Sequence, residues 1–293
     1  MKKLIICISF LLMIGGKCFS QSNPYNVPDE IWKAYEKGLS RSTPYSNPYE
    51  VPDELWETFK KGLDLGYEGK WEEAFSYFKV VADKGNVACA QKEVAVCYQN
   101  GEGVSVNFKE AFNYMYKAAT NPKPWITSFG GLADFYRMGI GTPKNLEEAF
   151  KWYRKGAEAE PIPGNLSSYQ EIVTDMYQVG CAYLIGAGVK RDGVQGVYWL
   201  RKADENGHPE AKMTLAMAYL CGAGIPKDEV EGVQWLKKSA ETGNANAQYE
   251  LGNAYMNGVG NLPKDDSKAL EWFKKAASQG YTSALDKIRM LER

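Results

Sequence analysis

Histidine is almost absent from this chain of 293 residues, whose single histidine is His208. Nucleophilic and general-base catalysis usually recruit histidine, and zinc sites need several His or Cys ligands at characteristic spacing. No such spacing occurs in the sequence. We therefore expect no catalytic residue, no metal ion and no cofactor, and we expect His208 to be an exposed residue of a surface turn.

Long apolar runs are missing beyond the first twenty residues. A basic start precedes an apolar stretch over residues 4–16, which has the length of a signal peptide rather than of a membrane span. Small residues follow it and suit cleavage near Ser20, and Lys17 before Cys18 argues against lipid attachment. We predict that residues 1–20 are a signal peptide, that the protein is exported to the periplasm or secreted by a bacterium, and that it has no integral membrane anchor.

An excess of either charge is missing as well. Removing the three lysines of residues 1–20 lowers the 35 basic residues to 32, against 36 acidic residues, so the net charge is about −4. This balance provides no electrostatic attraction to nucleic acid or to an anionic membrane. We expect neither as a partner.

What the sequence does contain is a glycine pair that recurs five times. Its first glycines lie 38, 47, 36 and 36 residues apart, each follows a tyrosine by three residues, and a bulky residue comes thirteen or fourteen residues later. The first glycines are Gly101, Gly139, Gly186, Gly222 and Gly258, the tyrosines are Tyr98, Tyr136, Tyr183, Tyr219 and Tyr255, and the bulky residues are Met115, Trp152, Trp199, Trp235 and Trp272. Five units in phase indicate a repeat protein rather than a globular domain.

Each unit is predicted to be a pair of helices. In the segment 211–243 apolar residues recur at helical spacing up to Gly222, where glycine accepts the left-handed backbone of a helix C-terminus. Pro226–Asp228 then predicts a turn, and a second apolar face runs from Val233 to Gly243. The second glycine of each pair is expected to let two helices approach closely.

These motifs resemble the Sel-one-like repeat family, which is related to tetratricopeptide repeats. The pattern is clearest from Leu251-Gly252 through Tyr255 to Gly258-Val259-Gly260, followed by Ala269, Trp272 and Lys275-Ala276-Ala277. The resemblance implies an all-α fold, a right-handed α-solenoid of about six helix–turn–helix repeats, and an adaptor or scaffold role. Gly196 and Gly232 depart from the alanine of the family pattern; each costs about 1 kcal/mol in helix propensity, which tighter packing would recover.

The chain divides into segments around this array. Residues 46–85 are predicted to form a degenerate tetratricopeptide-like hairpin, residues 86–284 to form five Sel-one-like repeats, and residues 285–293 to cap the open end. The 47-residue interval is expected to hold a longer loop near residues 158–168.

A duplicated arm precedes the hairpin. Residues 22–39 reappear at a 24-residue offset, and the second copy leads into the hairpin. The arm over residues 21–45 is interpreted as a half-ordered tether left by duplication. The alternative is that it competes for the docking place of the second copy or adds to a neighbouring chain, which would allow self-association.

Four cysteines remain outside residues 1–20. Cys89 and Cys97 lie in one predicted helix about 12 Å apart, too far for a disulfide. Cys181 and Cys221 lie on first helices of adjacent repeats and could pair. The preferred interpretation is four buried free thiols that pack as small apolar residues.

Ser76 and Lys79 match the Ser-x-x-Lys element of penicillin-binding enzymes, but the chain has no Lys-Thr-Gly companion. The match is interpreted as chance within a helix. A β-lactam or cell-wall hydrolase and a secreted host-interaction factor stay open as alternatives to the leading hypothesis, an exported scaffold that binds a protein or peptide on its concave face.

In a solenoid the first helices line the concave face, so residues there that differ between repeats are candidate contacts. Met217, Leu220 and Met256, with Met213 and Tyr249, are predicted to form an apolar groove. The alternative is that several of them pack against the next repeat. The predicted partner-binding residues are Asp134, Arg137, Leu184, Met213, Met217, Leu220, Tyr249, Asn253 and Met256.

Overall fold

The computed structural model describes residues 51–162 and 165–292, and every helix or strand in these ranges is an α-helix. The segments predicted as signal peptide and duplicated arm lie outside the described residues. The thirteen helices described are α1 Asp53–Tyr67, α2 Trp71–Lys84, α3 Ala88–Asn100, α4 Phe108–Thr120, α5 Thr127–Met138, α6 Leu146–Ala157, α7 Leu166–Ile185, α8 Gly193–Glu205, α9 Ala211–Cys221, α10 Glu229–Glu241, α11 Ala245–Asn257, α12 Asp266–Ser278 and α13 Ser283–Leu291.

Consecutive helices pack as six hairpins, from α1–α2 to α11–α12, and each hairpin packs on the next one. A single hairpin cannot bury its apolar face alone, so stacking produces a continuous core. The helical solenoid predicted from the repeat is confirmed. At its end, α13 covers α12 by packing Ala284, Ile288 and Leu291 against the cluster around Phe273.

The first glycine of each pair ends the first helix of its repeat. Gly101, Gly139, Gly186, Gly222 and Gly258 are the C-caps, with φ between 68° and 75°. This left-handed conformation is cheap for glycine and strained for other residues. The five prominent glycines of the sequence therefore mark helix ends, as predicted.

The second glycine of each pair touches the start of the preceding repeat's second helix. A Cβ on Gly188 would lie 1.9 Å from the carbonyl oxygen of Leu146, the first residue of α6. Gly103 and Gly141 stand against Trp71 and Phe108 in the same way. The predicted close approach of helices is thus a contact between repeats, and it fixes how successive hairpins stack.

The second helices of the five repeats share an N-terminal cap. Asn107, Asn145, Asp192, Asp228 and Asp265 each accept a hydrogen bond from a backbone N–H of the first turn. The backbone N–H of each capping residue also donates to the carbonyl of the repeat tyrosine, at 2.8 to 3.0 Å. Side-chain oxygens at this position satisfy otherwise unpaired donors.

The insertion in the 47-residue interval is mainly helix, so the prediction of a longer loop was wrong in part. The first helix α7 has 20 residues, against 11 to 13 in α3, α5, α9 and α11. Asn165 caps its N-terminus, and the hydroxyl of Tyr169 donates to the Asn206 side chain at 2.8 Å. These contacts stabilise two extra turns of α7.

Candidate functional site

A cavity of about 290 Å³ opens between the first helices α3, α5 and α7. Its lining combines apolar surface, for example from Val96 and Met115, with charged residues from all three helices. One edge comes from the second helices, through Met115 of α4 and Tyr153 of α6. The cavity lies on the face that first helices present in a solenoid, which is where such proteins offer extended binding surfaces.

Asp134 and Arg137 form an ion pair at the rim of this cavity, with Nη2 of Arg137 2.7 Å from Oδ1 of Asp134. Arg137 also donates through Nε to the hydroxyl of Tyr153 at 2.9 Å, and Tyr153 donates in turn to Asp134. Burial and the neighbouring Asp134 raise the pKa of Tyr153 above its ordinary value, so its hydroxyl keeps the proton. The structure therefore brings two of the predicted contact residues together.

A second ion pair crosses the cavity. Nζ of Lys92 in α3 lies 3.4 Å from Oε1 of Glu171 in α7, although a complete repeat separates the two helices in sequence. Glu171 belongs to the extra turns of α7, so these turns enable the contact across α5. Burial raises the pKa of Glu171, and the attraction of Lys92 opposes that rise.

Asp175 lines the cavity and is 4% exposed. Burial raises the pKa of Asp175 well above its ordinary value, and the negative charges of Glu171 and Asp134 add to the effect. Asp175 is not among the residues predicted from the sequence, which lie at other positions of the repeat. The sequence does distinguish this position, because the residue eight places before the repeat tyrosine is Ala or Ser in the other four repeats and an acid only here.

The predicted apolar groove is largely filled by the protein itself. Leu184 is 5% exposed and Met213 is 8% exposed, so the prediction that they face a partner was wrong. Leu184 packs over Gly196, where a Cβ would lie 2.6 Å from Cδ2 of the leucine, and Leu220 packs over Gly232 in the same way. The two glycines that depart from the family pattern thus make room for these leucines.

The remaining predicted residues divide between packing and exposure. The Tyr249 ring lies 5.5 Å from that of Phe273 and 4.9 Å from that of Tyr281, and Met256 packs in the same cluster. Asn253 is half-buried and donates to Glu250 at 3.2 Å. Met217 is 39% exposed and is the predicted apolar contact that reaches the surface.

The Ser-x-x-Lys match does not form a catalytic pair. Ser76 Oγ lies in α2 and donates to the carbonyl of Glu72 at 3.1 Å, while Lys79 binds Asp83 and Tyr114. These partners raise the pKa of Lys79 above its ordinary value despite partial burial, which is the opposite of what a general base needs. Among the described residues, no group of three His, Cys, Asp or Glu side chains is arranged to hold a metal ion.

His208 and the cysteines differ in part from expectation. His208 is 9% exposed and stacks on Tyr177 with ring centroids 4.1 Å apart, so it belongs to the packing and not to an exposed surface. The four described cysteines are unpaired, as preferred, but Cys181 is half-buried and Cys221 is exposed.

Within the part of the chain that the structure covers, no helix has both the length and the hydropathy required to cross a membrane.

Comparisons with known proteins agree with this architecture. The family model described as "Sel1 repeat" matches residues 90–122, 131–160, 175–208, 209–244 and 245–281, more than half of the chain. A Sel1 repeat protein from Oxalobacter formigenes is 28% identical, with a TM-score of 0.64 over 79% of this chain and 86% of that one. The protective antigen c5321 of uropathogenic Escherichia coli is 26% identical, with a TM-score of 0.66 over 88% of this chain and 50% of that one.

A curated relative with a regulatory description is the exopolysaccharide production negative regulator of Rhizobium leguminosarum bv. viciae. It is 27% identical over 154 residues, 49% of this chain and 54% of that protein. The chain spans about half or less of the length of the curated relatives it matches.

Proposed function

The chain belongs to the Sel1 repeat family, and we propose that it is an exported scaffold that binds a partner polypeptide along the cavity between α3, α5 and α7. Sel1 repeat proteins are protein-interaction scaffolds. The observation that carries the proposal is the cavity whose apolar, polar and charged walls come from the first helices of three successive repeats. A site built from several repeats is typical of solenoid proteins that hold an extended chain.

The distribution of exposed groups favours this location over the C-terminal half. There Leu184, Leu220 and Met213 are used for packing between helices, so three of the predicted contacts are not available to a ligand. At the N-terminal cavity, Asp134 and Arg137 are about two-fifths exposed and are held by Tyr153. A preorganised polar group of this kind loses little conformational entropy when a partner binds.

The test is partner capture by Arg137→Glu compared with Arg289→Glu. Both arginines form an exposed ion pair with an aspartate three residues earlier, but Arg289 lies on the terminal helix α13, away from the cavity. The purified mature chain is immobilised and exposed to the extracytoplasmic fraction of the source cells, and captured proteins are identified by mass spectrometry. We expect wild type and Arg289→Glu to capture the same partner and Arg137→Glu to lose it.

Equal capture by both variants would refute the placement of the site at this cavity. Circular dichroism of each variant checks that the helices are intact, so that loss of capture reports on the surface and not on folding.

Export is the second part of the proposal, and it is supported by the basic and apolar pattern of residues 1–20. Fusing these residues to an alkaline phosphatase that lacks its own signal should produce enzyme activity outside the cytoplasm. A fusion that begins at Gln21 should not. Activity that is equal in the two fusions would contradict export.

A further inference from the structure

One buried residue of the cavity lining differs in chemistry from its counterparts in every other repeat. The position eight residues before the repeat tyrosine is Asp175 in the third repeat and a fully buried small residue elsewhere. Its counterparts are Ala90, Ser128, Ala211 and Ala247. A carboxylate thus occupies a place where the repeat otherwise packs a methyl or hydroxymethyl group.

The neighbouring helices provide the space for this carboxylate. A Cβ on Gly156 of α6 would lie 1.9 Å from Oδ2 of Asp175, and a Cβ on Gly130 of α5 would lie 2.5 Å from Oδ1. The position of Gly156, four residues after the bulky residue of the repeat, is Ala or Ser in the other four repeats. The large side chain of Asp175 and the absence of a side chain at Gly156 therefore compensate each other where α6 packs against α7.

The carboxylate of Asp175 has no partner of its own. Among residues 51–162 and 165–292, no donor forms a hydrogen bond with it and no cation pairs with it. The nearby cations are already engaged, Lys92 by Glu171 and Arg137 by Asp134. Buried polar groups are normally hydrogen-bonded, so we expect this unpartnered carboxylate in the cavity wall to bind a ligand that donates hydrogen bonds.

A second unpartnered polar atom lies in the same cavity. Oγ1 of Thr127 is buried and has no hydrogen-bond partner in the described part of the chain. A hydroxyl can accept as well as donate. The lining of the cavity therefore contains two residues, Asp175 and Thr127, whose polar side-chain atoms lack a hydrogen-bond partner within the described residues.

The geometry points to Asp175 as the anchor for a cationic side chain, lysine or arginine, of the partner polypeptide. This inference rests on the proposed function, because it names the group that the partner inserts. A charge-assisted hydrogen bond from ammonium or guanidinium supplies the donors that the carboxylate lacks. The cavity, at about 290 Å³, is near the lower end of the ~300–1,000 Å³ of ligand pockets and accepts one side chain rather than a folded element.

Local charge supports a cation rather than an anion as the occupant. Glu171 lines the cavity from α7, and Asp134 lines it from α5 with its partner Arg137. Lys92 and Arg137 are already paired with Glu171 and Asp134, so neither compensates the negative charge that Asp175 carries when it is ionised. An anionic ligand would be repelled by the ionised carboxylate, whereas a cation neutralises it.

Occupancy is expected to depend on pH. The pKa of Asp175 is raised by burial and by Glu171 and Asp134, and Tyr153 on α6 keeps its proton. A cation favours the ionised carboxylate, so its binding releases a proton from Asp175. Affinity for the cationic side chain should therefore increase as pH rises towards the pKa of Asp175.

The test uses the mature protein and acetylated, amidated pentapeptides with a central lysine, arginine or norleucine between glycines. Binding is followed by the amide resonances of Gly130 and Gly156, which lie beside Asp175. The variants are Asp175→Asn and, as a matched removal of one negative charge, Asp286→Asn on α13. Butylammonium ion is a further probe, which distinguishes a free amine from a side chain carried by a peptide.

We expect the lysine or arginine peptide to shift both resonances, the norleucine peptide to shift neither, and Asp175→Asn to weaken binding at least tenfold while Asp286→Asn does not. Butylammonium should bind more weakly than the better peptide. Unchanged affinity of Asp175→Asn, or absence of binding by both cationic peptides, would overturn the inference. So would tighter binding of butylammonium, because the occupant would then be a free amine.

The outcome is separable from that of the proposed function. If Arg137→Glu loses the partner but Asp175→Asn keeps the peptide affinity, the scaffold function stands and the anchor role of Asp175 is wrong. The variant Asp175→Ala, which introduces the residue found in three other repeats, removes the carboxylate in a second way for the same measurement.

Discussion

The carboxylate of Asp175 fills the space that a side chain at Gly156 would need, since a Cβ there would lie 1.9 Å from Oδ2 of Asp175. At the equivalent junctions the two positions hold small residues, for example Ala211 with Ala203 and Ala247 with Ser239, all buried. The pair is therefore a single local rearrangement of the repeat, and neither residue is explained without the other.

This relationship predicts strong coupling between the two positions. Gly156→Ala alone should destabilise the protein by about 1–3 kcal/mol because the added methyl group overlaps the carboxylate. In Asp175→Ala/Gly156→Ala the clash is gone, so the double variant should be at least as stable as wild type. Urea unfolding of the four proteins measures the coupling. Additive effects of the two substitutions would show that the residues do not interact.

Asp175 should make stability fall as pH rises. Its folded-state pKa is raised above the value of about 3.9 expected for the unfolded chain. The stabilising contribution is therefore complete below that unfolded value and is lost as pH rises through the folded pKa. Asp175→Asn carries no titrating carboxyl, so its free energy of unfolding should exceed that of wild type by a margin that grows with pH.

The measurement is urea unfolding of wild type and Asp175→Asn between about pH 4.5 and 8. His208, whose pKa is lowered by burial, titrates in both proteins and cancels in the difference. If the difference in free energy of unfolding between Asp175→Asn and wild type shrinks as pH rises, Asp175 is not an unpartnered buried carboxylate.

The packing of Leu220 should make any side chain at position 232 destabilising. A Cβ on Gly232 would lie 2.7 Å from Cγ of Leu220, so Gly232→Ala should cost about 1–3 kcal/mol through overpacking, although alanine is the better helix former. In the last repeat the corresponding residues are Met256 and Ala269. There the reverse change, Ala269→Gly, should cost about 1 kcal/mol. Stabilisation by Gly232→Ala in urea unfolding would refute the packing argument.

The two glycines of one pair should differ in their tolerance of alanine. Gly186→Ala introduces left-handed strain of about 1–2 kcal/mol, because φ is 74° and no backbone atom lies nearer than 3.6 Å to the added Cβ. Gly188→Ala adds to a similar strain a Cβ 1.9 Å from the Leu146 carbonyl oxygen, so α6 must move. Gly188→Ala should therefore show the lower urea midpoint. A lower midpoint for Gly186→Ala would contradict the inter-repeat contact.

The helices and their ends could be predicted from the sequence because the relevant physics is local. A tyrosine, a glycine pair and a capping Asn or Asp at fixed spacing specify where each helix stops and the next begins. Repetition then specifies the stack, since every hairpin has the same apolar face to bury. The fold class therefore followed from the spacing of a few residues and was confirmed.

The candidate site depended on tertiary structure. Leu184 and Leu220 follow the repeat tyrosine as Arg137 does. The two leucines are nevertheless packed inside, because a glycine on the facing helix leaves space for each of them. Sequence spacing does not show where a neighbouring helix leaves such a space. The cavity also needs the extra turns of α7, whose Glu171 reaches Lys92 of α3 across an intervening repeat. Local rules position a residue on its helix; whether its side chain is packed, paired or left to a ligand is decided by the residues that the fold places opposite it.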